Sequence, residues 1–245
     1  ALRVDGVVVA EIRHRAGLDK FTYIVTPNVD HVVKLWPRRP DAHTLSFRAA
    51  YEGAALRICD SRILQRLGRL IGIRMPVVTG SDLTGYLVRH VFRTGDRIAI
   101  IGGKTHTVAV LNALFPGPDY VQYLPPMGVL DDERAMHDIV RFVTDARPNV
   151  TLFAIGAPQS EIAANACRNA DGATGIGLCV GASVDFLTGD QKRAPAWMQK
   201  AGLEWFYRLA SNPARLWRRY LVEGPRIFLL FLRSCRGQTF ASTGR

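Results

Sequence analysis

The sequence predicts an α/β fold in which a mostly parallel sheet is covered by helices. Between about residues 21 and 182, short β-branched segments alternate with longer segments of helical periodicity, which is the pattern of βαβ units. The short segments are almost continuously apolar, as strands buried on both faces must be. Most of them end in Gly, Pro, Ser, Asp or Asn, which are residues typical of turns.

Seven segments have the pattern of buried strands, and six longer segments have helical periodicity. The predicted strands are FTYIVTPN (21–28), ALRICD (55–60), MPVVTG (75–80), DRIAIIGG (96–103), YVQYLPP (120–126), VTLFAIGAP (150–158) and TGIGLCVGAS (174–183). The predicted helices are VDHVVKLW (29–36), SRILQRLGRLIG (61–72), SDLTGYLVRHVF (81–92), KTHTVAVLNALF (104–115), DDERAMHDIVRFVTDA (131–146) and SEIAANACRNA (160–170).

The C-terminal part of the chain has a different pattern. It is rich in helix formers, with breaks at Pro195, Pro213 and Pro225, and this predicts two or three helices. Ser211 or Asn212 precedes Pro213 and is suited to cap one of them. We therefore expect an α/β core over residues 1–190 and a helical, basic, amphipathic appendage over residues 191–245.

The charge of the protein is concentrated in this appendage. The net charge is +11, and residues 205–245 carry eight arginines against the single acid Glu223. Such a segment favours an anionic surface, either nucleic acid or acidic lipid. The apolar IFLLFL (227–232) is too short to span a bilayer but could lie on one, or could bury itself in a homo-oligomer interface.

Cysteines and histidines favour neither a disulfide framework nor a metal site. The four cysteines have no CxxC spacing, and the six histidines are dispersed, so we expect no metal and a reducing compartment. No export signal is recognisable, which predicts a cytoplasmic protein.

Ligands of parallel α/β sheets bind beyond the carboxyl ends of the strands. The polar and glycine-rich residues expected there are Thr26, Asn28, Asp60, Gly80, Ser81, Asp82, Gly102, Gly103, Gly156, Pro158, Gly181 and Asp185.

Several of these residues allow two interpretations. Asp60 could be the N-cap of the following helix or a general base. Thr26 and Asn28 could form a turn around Pro27 or line a ligand pocket. The Gly102–Gly103 turn is not completed to G-x-G-x-x-G, which argues against a dinucleotide-binding oxidoreductase. The PPMG segment (125–128) is extended or turned and could line a ligand.

An ordered set of motifs gives a closer resemblance. TPNVDHVV, TGSDL, IIGGK, PPMG, IGAPQSE, VGASVDFLTGDQKRAPAWMQKAGLEWFYRL and NPARLWRRYL together resemble the WecG/TagA/CpsF family of bacterial glycosyltransferases, glycosyltransferase family 26. The resemblance covers roughly residues 4–231. It implies a Rossmann-like core with a C-terminal appendage that meets the membrane and supplies arginines to the active site.

The resemblance also implies the reaction. It is an inverting, metal-independent transfer of a sugar from a UDP-sugar to a polyprenyl-diphosphate-linked saccharide, during assembly of a surface polysaccharide or a teichoic-acid-type polymer. Such an enzyme would act peripherally on the inner face of the cell membrane. N-acetylmannosamine, its uronic acid, glucose and glucuronic acid all remain open as the donor sugar.

Motif matching carries the family's candidate base to Asp60 and its T-x-N pair to Thr26 and Asn28. Arginines 215, 218 and 219 are expected to stabilise the diphosphate leaving group, since a guanidinium matches phosphate oxygens. The full set of expected substrate-binding residues is Thr26, Asn28, Gly80, Gly102, Gly103, Pro126, Gly128, Gly156, Pro158, Gln159, Ser160, Glu161, Asp185, Lys192 and Arg193.

This chain departs from the family pattern at two places. The usual G-x-P-x-Q-E reads Gly-Ala-Pro-Gln-Ser-Glu over residues 156–161, which places Ser160 where the glutamine is expected. The usual D-G reads Asp60–Ser61, so that loop has less freedom for positive φ. An alternative function consistent with the basic tail is a nucleic-acid-binding α/β protein, although the tail contains no recognised binding motif.

Overall fold

The computed structural model describes residues 6–241, and the side chains of all of these except 6, 7, 200 and 236–241. It contains a six-stranded sheet in which every paired strand is parallel, with the order β2-β1-β6-β5-β3-β4. The strands are β1 (Thr22–Val25), β2 (Leu56–Arg57), β3 (Arg97–Gly102), β4 (Asp119–Tyr123), β5 (Val150–Ala154) and β6 (Ile176–Cys179). The predicted α/β fold class is confirmed.

The central strands form the core because both of their faces are covered by helices. Ile98 and Ile100 of β3 are fully buried, as are Leu152 of β5 and Ile176 of β6. In the register of the sheet, Ile98 lies opposite Val150, which in turn lies opposite Ile176. The continuous apolar runs in the sequence therefore reflect burial on two sides.

Thirteen α-helices are present among the described residues. They are α1 (Gly6–Ala16), α2 (Val29–Leu35), α3 (Ala42–Gly53), α4 (Arg62–Leu70), α5 (Gly80–Tyr86), α6 (Thr107–Leu114), α7 (Glu133–Ala146), α8 (Gln159–Asn169), α9 (Ser183–Thr188), α10 (Ala196–Ala201), α11 (Glu204–Ser211), α12 (Pro213–Trp217) and α13 (Arg226–Ala241). Shorter helical segments are the π-helical turns Leu87–Val91 and Arg218–Glu223 and the 3₁₀ turn Val129–Asp131.

One predicted strand was wrong. MPVVTG (75–80) forms no strand. Pro76 lacks the N–H that a central strand needs, and Thr79 instead caps α5 by accepting from the N–H of Asp82 at 3.1 Å. Val78 is nevertheless buried in the core. The apolar pattern of this segment therefore indicated burial correctly but did not indicate a strand.

Two helices had no counterpart among the predicted segments, namely α1 and α3. The start of α3 is a capping box in which Asp41 accepts from the N–H of Thr44 at 2.8 Å. The residue three positions after the cap is threonine, whereas Glu or Gln is the usual signal. The described C-terminal part beyond residue 190 contains four α-helices, α10 to α13, where two or three were predicted. Of the two predicted cap candidates, Ser211 and Asn212, it is Asn212 that caps α12 ahead of Pro213.

The chain divides into two compact units. The sheet unit comprises the described residues up to Thr26, Asp41–Ile58 and Val78–Lys192. It contains all six strands, with α3 packed on α8 and α5 packed on α9.

The arginine-rich unit is built from three stretches of chain. These are Pro27–Pro40, Cys59–Val77 and the described residues from Arg193 on. Inside this unit α13 packs on α2, and Arg226 donates to the carbonyl of Trp36 at 3.4 Å. The C-terminal segment beyond residue 190 therefore has the two earlier stretches as packing partners.

Candidate active site

In the sheet unit, polar groups at the carboxyl ends of β1 and β6 are held close together. The buried Thr26 hydroxyl donates to the Cys179 carbonyl at 2.8 Å. A Cβ added at Gly80 would lie 3.2 Å from the Ser183 hydroxyl and 3.6 Å from that of Thr26. Gly80 thus allows α5 to begin directly against these two hydroxyls.

The turn after β3 requires glycine at two positions. Gly102 and Gly103 have φ values of +97° and +81°, and a Cβ on Gly102 would lie 2.8 Å from Ile155 and 3.1 Å from the backbone of Ala154. The Gln122 amide fixes the turn by donating to the carbonyls of Gly102 and Lys104 at 2.8 and 2.9 Å. The result is a rigid backbone turn at the start of α6, a geometry suited to close approach by an anionic ligand.

A charged cluster next to this turn was not predicted. The Asp190 carboxylate accepts from Lys104 at 2.7 Å and from Thr188 at 2.6 Å, and His106 Nε2 lies 3.1 Å away. The hydrogen bond from Lys104, followed by that from Thr188, lowers the pKa of Asp190 to about 2. Lys104 lies in the IIGGK motif and Asp190 lies in the VGASVDFLTGD segment. The two residues are 86 positions apart, so no local sequence pattern reveals that they are in contact.

The segment that departs from the family pattern turns two of its side chains inward. Gly156 has φ +82°, and the Ala157–Pro158 peptide bond is cis. Ser160 is 1% exposed, and its hydroxyl donates to the Phe153 carbonyl at 3.4 Å. Glu161 is buried as well, whereas Gln159 is half-buried. Gln159 is therefore the most accessible polar side chain of the three.

The remaining predicted residues of the sheet unit differ in their surroundings. Asp185 is half-buried and accepts from the Gln191 amide at 2.7 Å. Pro126, Gly128 and Lys192 are exposed. Gly128 adopts the left-handed conformation before the 3₁₀ turn.

In the arginine-rich unit, Asn28 has a clear structural role. Its side chain caps α2 by accepting from the N–H groups of Asp30 and His31 at 3.0 and 3.3 Å. His31 is buried, and burial lowers its pKa to about 3. The Asp30 charge acts to raise this pKa and the Lys34 and Arg219 charges act to lower it, but burial is the largest influence, so His31 is neutral at physiological pH.

Asp30 forms a buried charged centre beside this cap. Its side chain is 8% exposed, with Lys34 Nζ at 2.9 Å and an Arg219 guanidinium nitrogen at 3.2 Å. A carboxylate followed four residues later by lysine is a sequence signal for the first pair. The pairing with Arg219 joins residues distant along the chain and had no such signal.

Asp60 is not the cap of α4. The N-cap is Ser61, whose hydroxyl accepts from the N–H of Leu64 at 3.3 Å. Asp60 is half-buried, and its backbone N–H donates to the Pro27 carbonyl at 2.9 Å. The capping interpretation of Asp60 was therefore wrong, and the Asp60 loop is tied directly to the loop that contains Asn28.

Arg208 interacts electrostatically with Asp60 and was absent from the predicted site. Burial acts to lower the pKa of its guanidinium, but the interactions with Glu204, Tyr220 and Asp60 outweigh burial and raise it. Glu204 also accepts directly from Arg208 at 2.8 Å. A permanently cationic side chain thus lies within electrostatic range of the candidate base.

The arginines predicted to serve the leaving group are placed differently from one another. Arg219 is partly buried on Asp30 and lies over the Tyr220 ring at 5.6 Å. Arg218 is exposed, with Glu223 at 3.5 Å. Arg215 is exposed, and Arg193 is half-buried. The structure thus fixes Arg219 most firmly.

The C-terminal segment also presents large apolar side chains to solvent. Those exposed are Trp197, Leu203, Phe206, Trp217, Leu221, Val222, Phe228, Leu229 and Leu232. None of the helices in residues 6–241 combines the length and apolar character that crossing a bilayer requires.

A helix-covered parallel sheet whose carboxyl edge is polar and rich in glycine is the architecture of α/β enzymes that bind ligands at that edge. The sequence profile described as "Glycosyl transferase WecG/TagA/CpsF family" matches residues 2–240, and the chain belongs to this family of glycosyltransferases. The expected family is thereby confirmed.

A curated relative adds a specific comparison. The chain is 32% identical over 181 residues to the N-acetylglucosaminyldiphosphoundecaprenol N-acetyl-beta-D-mannosaminyltransferase of Bacillus spizizenii. This similarity covers 71% of the chain and 67% of the relative.

Proposed function

We propose that this glycosyltransferase transfers a sugar from a UDP-sugar, with inversion, to a polyprenyl-diphosphate-linked saccharide during synthesis of a surface polysaccharide or teichoic-acid-type polymer. The observation that carries the proposal is the similarity to a transferase whose name specifies an N-acetylglucosaminyl-diphosphoundecaprenol acceptor. The same name makes N-acetylmannosamine the first donor sugar to test.

Asp60 is the proposed general base. As the acceptor hydroxyl oxygen attacks the anomeric carbon from the face opposite UDP, its proton passes to the Asp60 carboxylate and the bond to the UDP oxygen breaks. Attack from the opposite face inverts the anomeric configuration. The assignment of the helix cap to Ser61 is consistent with this role, because it removes the competing interpretation of Asp60 as the N-cap of α4.

Arginines are the proposed electrophilic partners of the departing diphosphate, whose negative charge grows as the bond to the sugar breaks. A guanidinium can donate two parallel hydrogen bonds to phosphate oxygens. Arg219 is held in place by Asp30, while Arg215 and Arg218 are exposed and accessible to a ligand. We include no metal in this step.

The sheet unit is the proposed site of the nucleotide diphosphate. The left-handed Gly102–Gly103 turn precedes α6, whose N-cap residue makes no side-chain capping bond, and the Thr26 and Ser183 hydroxyls lie beside Gly80. These groups suit a ligand with several oxygen atoms and negative charge.

Peripheral binding to the inner face of the cell membrane completes the proposal. The exposed aromatic and aliphatic side chains of the C-terminal segment lie among arginines. Aromatic side chains favour the membrane interface, and arginines favour anionic lipid. A lipid-linked acceptor is reached most directly by a protein held at that surface.

The deciding experiment measures UDP release by the full chain across a panel of UDP-sugars, with and without a polyprenyl-diphosphate-linked N-acetylglucosamine in liposomes. We expect release that depends on the acceptor with one donor, and equal release in EDTA. The anomeric configuration of the product, read by NMR, tests inversion. Acceptor-dependent transfer from a donor without UDP would contradict the donor class, and loss of activity in EDTA would contradict metal independence.

A further inference from the structure

The helix α4 and the turn after it form a second basic and apolar feature of the arginine-rich unit. Residues 61–81 contain no acid but carry four arginines, at positions 62, 66, 69 and 74. Large aliphatic side chains alternate with these arginines. We call residues 66–74 the α4 tip.

The α4 tip has a defined backbone structure. Gly72 is left-handed, with φ +77°, and its N–H donates to the Arg69 carbonyl at 3.2 Å. The N–H of Ile73 donates to the Gly68 carbonyl at 2.9 Å. These two bonds form a Schellman motif, which fixes how the chain leaves the helix.

The motif leaves two aliphatic side chains uncovered. Ile73 is the residue that would ordinarily pack on the side chain three positions before the helix end, but that position is Gly68. A Cβ there would lie 3.2 Å from the Ile73 carbonyl oxygen and 2.7 Å from the flexible end of the Met75 side chain, so the returning chain passes close to the helix at this position. Leu70 is 75% exposed and Ile73 is 46% exposed.

The arginines of the α4 tip are available to an external anion. Within the part of the chain that the structure describes, no carboxylate forms an ion pair with Arg66, Arg69 or Arg74. All three are exposed. Arg66 donates to the Ala201 carbonyl at 3.1 Å, which ties the α4 tip to the end of α10. Trp197, on the same short helix, is 64% exposed.

We propose that the α4 tip is a second membrane-binding surface, which inserts Leu70 and Ile73 among the headgroups of anionic lipids while Arg69 and Arg74 contact the lipid phosphates. Apolar side chains flanked by unpaired arginines are the composition that binds an anionic bilayer surface. Its link to α10 through Arg66 makes it continuous with the C-terminal segment proposed to bind the same surface. The inference rests on the proposed membrane reaction, but its test needs neither donor nor acceptor.

The test is co-sedimentation of the full chain with vesicles of phosphatidylcholine and phosphatidylglycerol, about two to one. The double variant Arg69→Gln/Arg74→Gln removes charge, and Leu70→Ser/Ile73→Ser removes the apolar contact. We expect the first to weaken binding about fivefold per arginine. The second should weaken binding by a comparable factor and keep the salt dependence of the wild type, because its arginines are intact. The arginine variant should bind with a smaller salt dependence.

Matched controls come from the sheet unit. Arg134→Gln/Arg141→Gln removes two exposed arginines of α7, and Leu45→Ser/Leu114→Ser removes two exposed leucines. Both controls should bind vesicles as the wild type does. All variants change exposed side chains, and thermal unfolding confirms that each is folded.

Each outcome decides the inference. Unchanged vesicle binding by both α4-tip variants, an equal loss in the controls, or no binding by the wild type would overturn it. Binding of duplex or single-stranded nucleic acid that the α4-tip variants lose, without a change on vesicles, would replace lipid by nucleic acid. Transfer to a short-chain, water-soluble acceptor analogue should be unchanged in the α4-tip variants, so a failure of the proposed function would appear in the wild type as well.

Discussion

Two groups of polar residues, one in each unit of the protein, are held in place by different means. In the sheet unit, the Thr26 hydroxyl and the Gly102–Gly103 turn are fixed by backbone carbonyls and by neighbouring strands. In the arginine-rich unit, Asp30 and Arg208 are held by ionic contacts with charged side chains. This difference teaches that substitutions at Gly102 should act through packing, whereas substitutions at Asp30 should act through charge.

The largest effect is expected at Asp60. If the arginine-rich unit supplies the base, Asp60→Asn should lower the transfer rate about 10³-fold, because loss of a general base costs about 10² to 10⁴ in rate. Its free energy of unfolding should change little. Steady-state kinetics and urea unfolding measure the two quantities.

Ser61→Ala is the matched control for Asp60→Asn. Losing the α4 cap should cost about 1 kcal/mol of stability and leave most of the transfer activity. An Asp60→Asn protein as active as the wild type would remove Asp60 from the chemistry.

Packing in the sheet unit is tested by two glycines that share a left-handed backbone. Gly102→Ala should destabilise by about 3 kcal/mol, from backbone strain together with the close contacts to Ile155 and Ala154. Gly156→Ala should cost only about 1 kcal/mol, because the space around that Cβ is open. Chemical unfolding of both variants measures the difference, and equal costs would show that the contacts at Gly102 relax without penalty.

The ionic centre of the arginine-rich unit is tested by Asp30→Asn. Removing one partner of a buried ion pair costs about 3 to 5 kcal/mol, but Arg219 and Lys34 remain about a third exposed. We therefore expect a loss of about 2 kcal/mol. Transfer should also slow, because Arg219 loses the contact that positions it.

The control for Asp30→Asn is Asp131→Asn, which removes an exposed partner of His43. Urea unfolding should show less than about 0.5 kcal/mol for this variant. A comparable loss of unfolding free energy in both variants would mean that the burial of Asp30 does not strengthen its ion pairs.

The last expected effect is a pH dependence of stability that comes from His31. Its pKa is about 3 in the folded protein and about 6.5 when unfolded. Between these values the unfolded state binds the extra proton, so stability should fall as pH drops below 6.5, by up to about 1.4 kcal/mol per pH unit. Urea unfolding at pH 7 and pH 5 should show the loss.

The variant His31→Gln should reduce that pH dependence, whereas the exposed His137→Gln should retain it. An equal slope in the wild type and in His31→Gln would show that another group titrates over this range.

Most of the sheet was predictable because burial on both faces leaves a continuous apolar run, and five of the six strands exceed three residues. The segment MPVVTG has the same apolar pattern as the strands but forms a loop. A buried loop and a buried strand both require apolar side chains, so the pattern alone does not separate them. Only its proline and the cap at Thr79 distinguish the two.

The site was predictable only in part. Motif matching selected Asp60, yet the competing role as a helix cap could be assigned to Ser61 only from backbone geometry. The contacts of Asp30 with Arg219 and of Asp190 with Lys104 depend on how the chain folds back. Sequence periodicity indicates which face of a helix or strand is buried, but it does not indicate which distant residue packs against that face.

The three-stretch construction of the arginine-rich unit has a consequence for biosynthesis. Pro27–Pro40 and Cys59–Val77 leave the ribosome more than a hundred residues before Arg193 does. At ordinary rates of translation this interval is on the order of ten seconds. During that time α2 and α4 have emerged without α13 and α10, while the strands of the sheet are being completed. Completion of the arginine-rich unit must therefore wait until α10 and α13 have been synthesised, and until then α2 and α4 lack the packing partners that these helices supply.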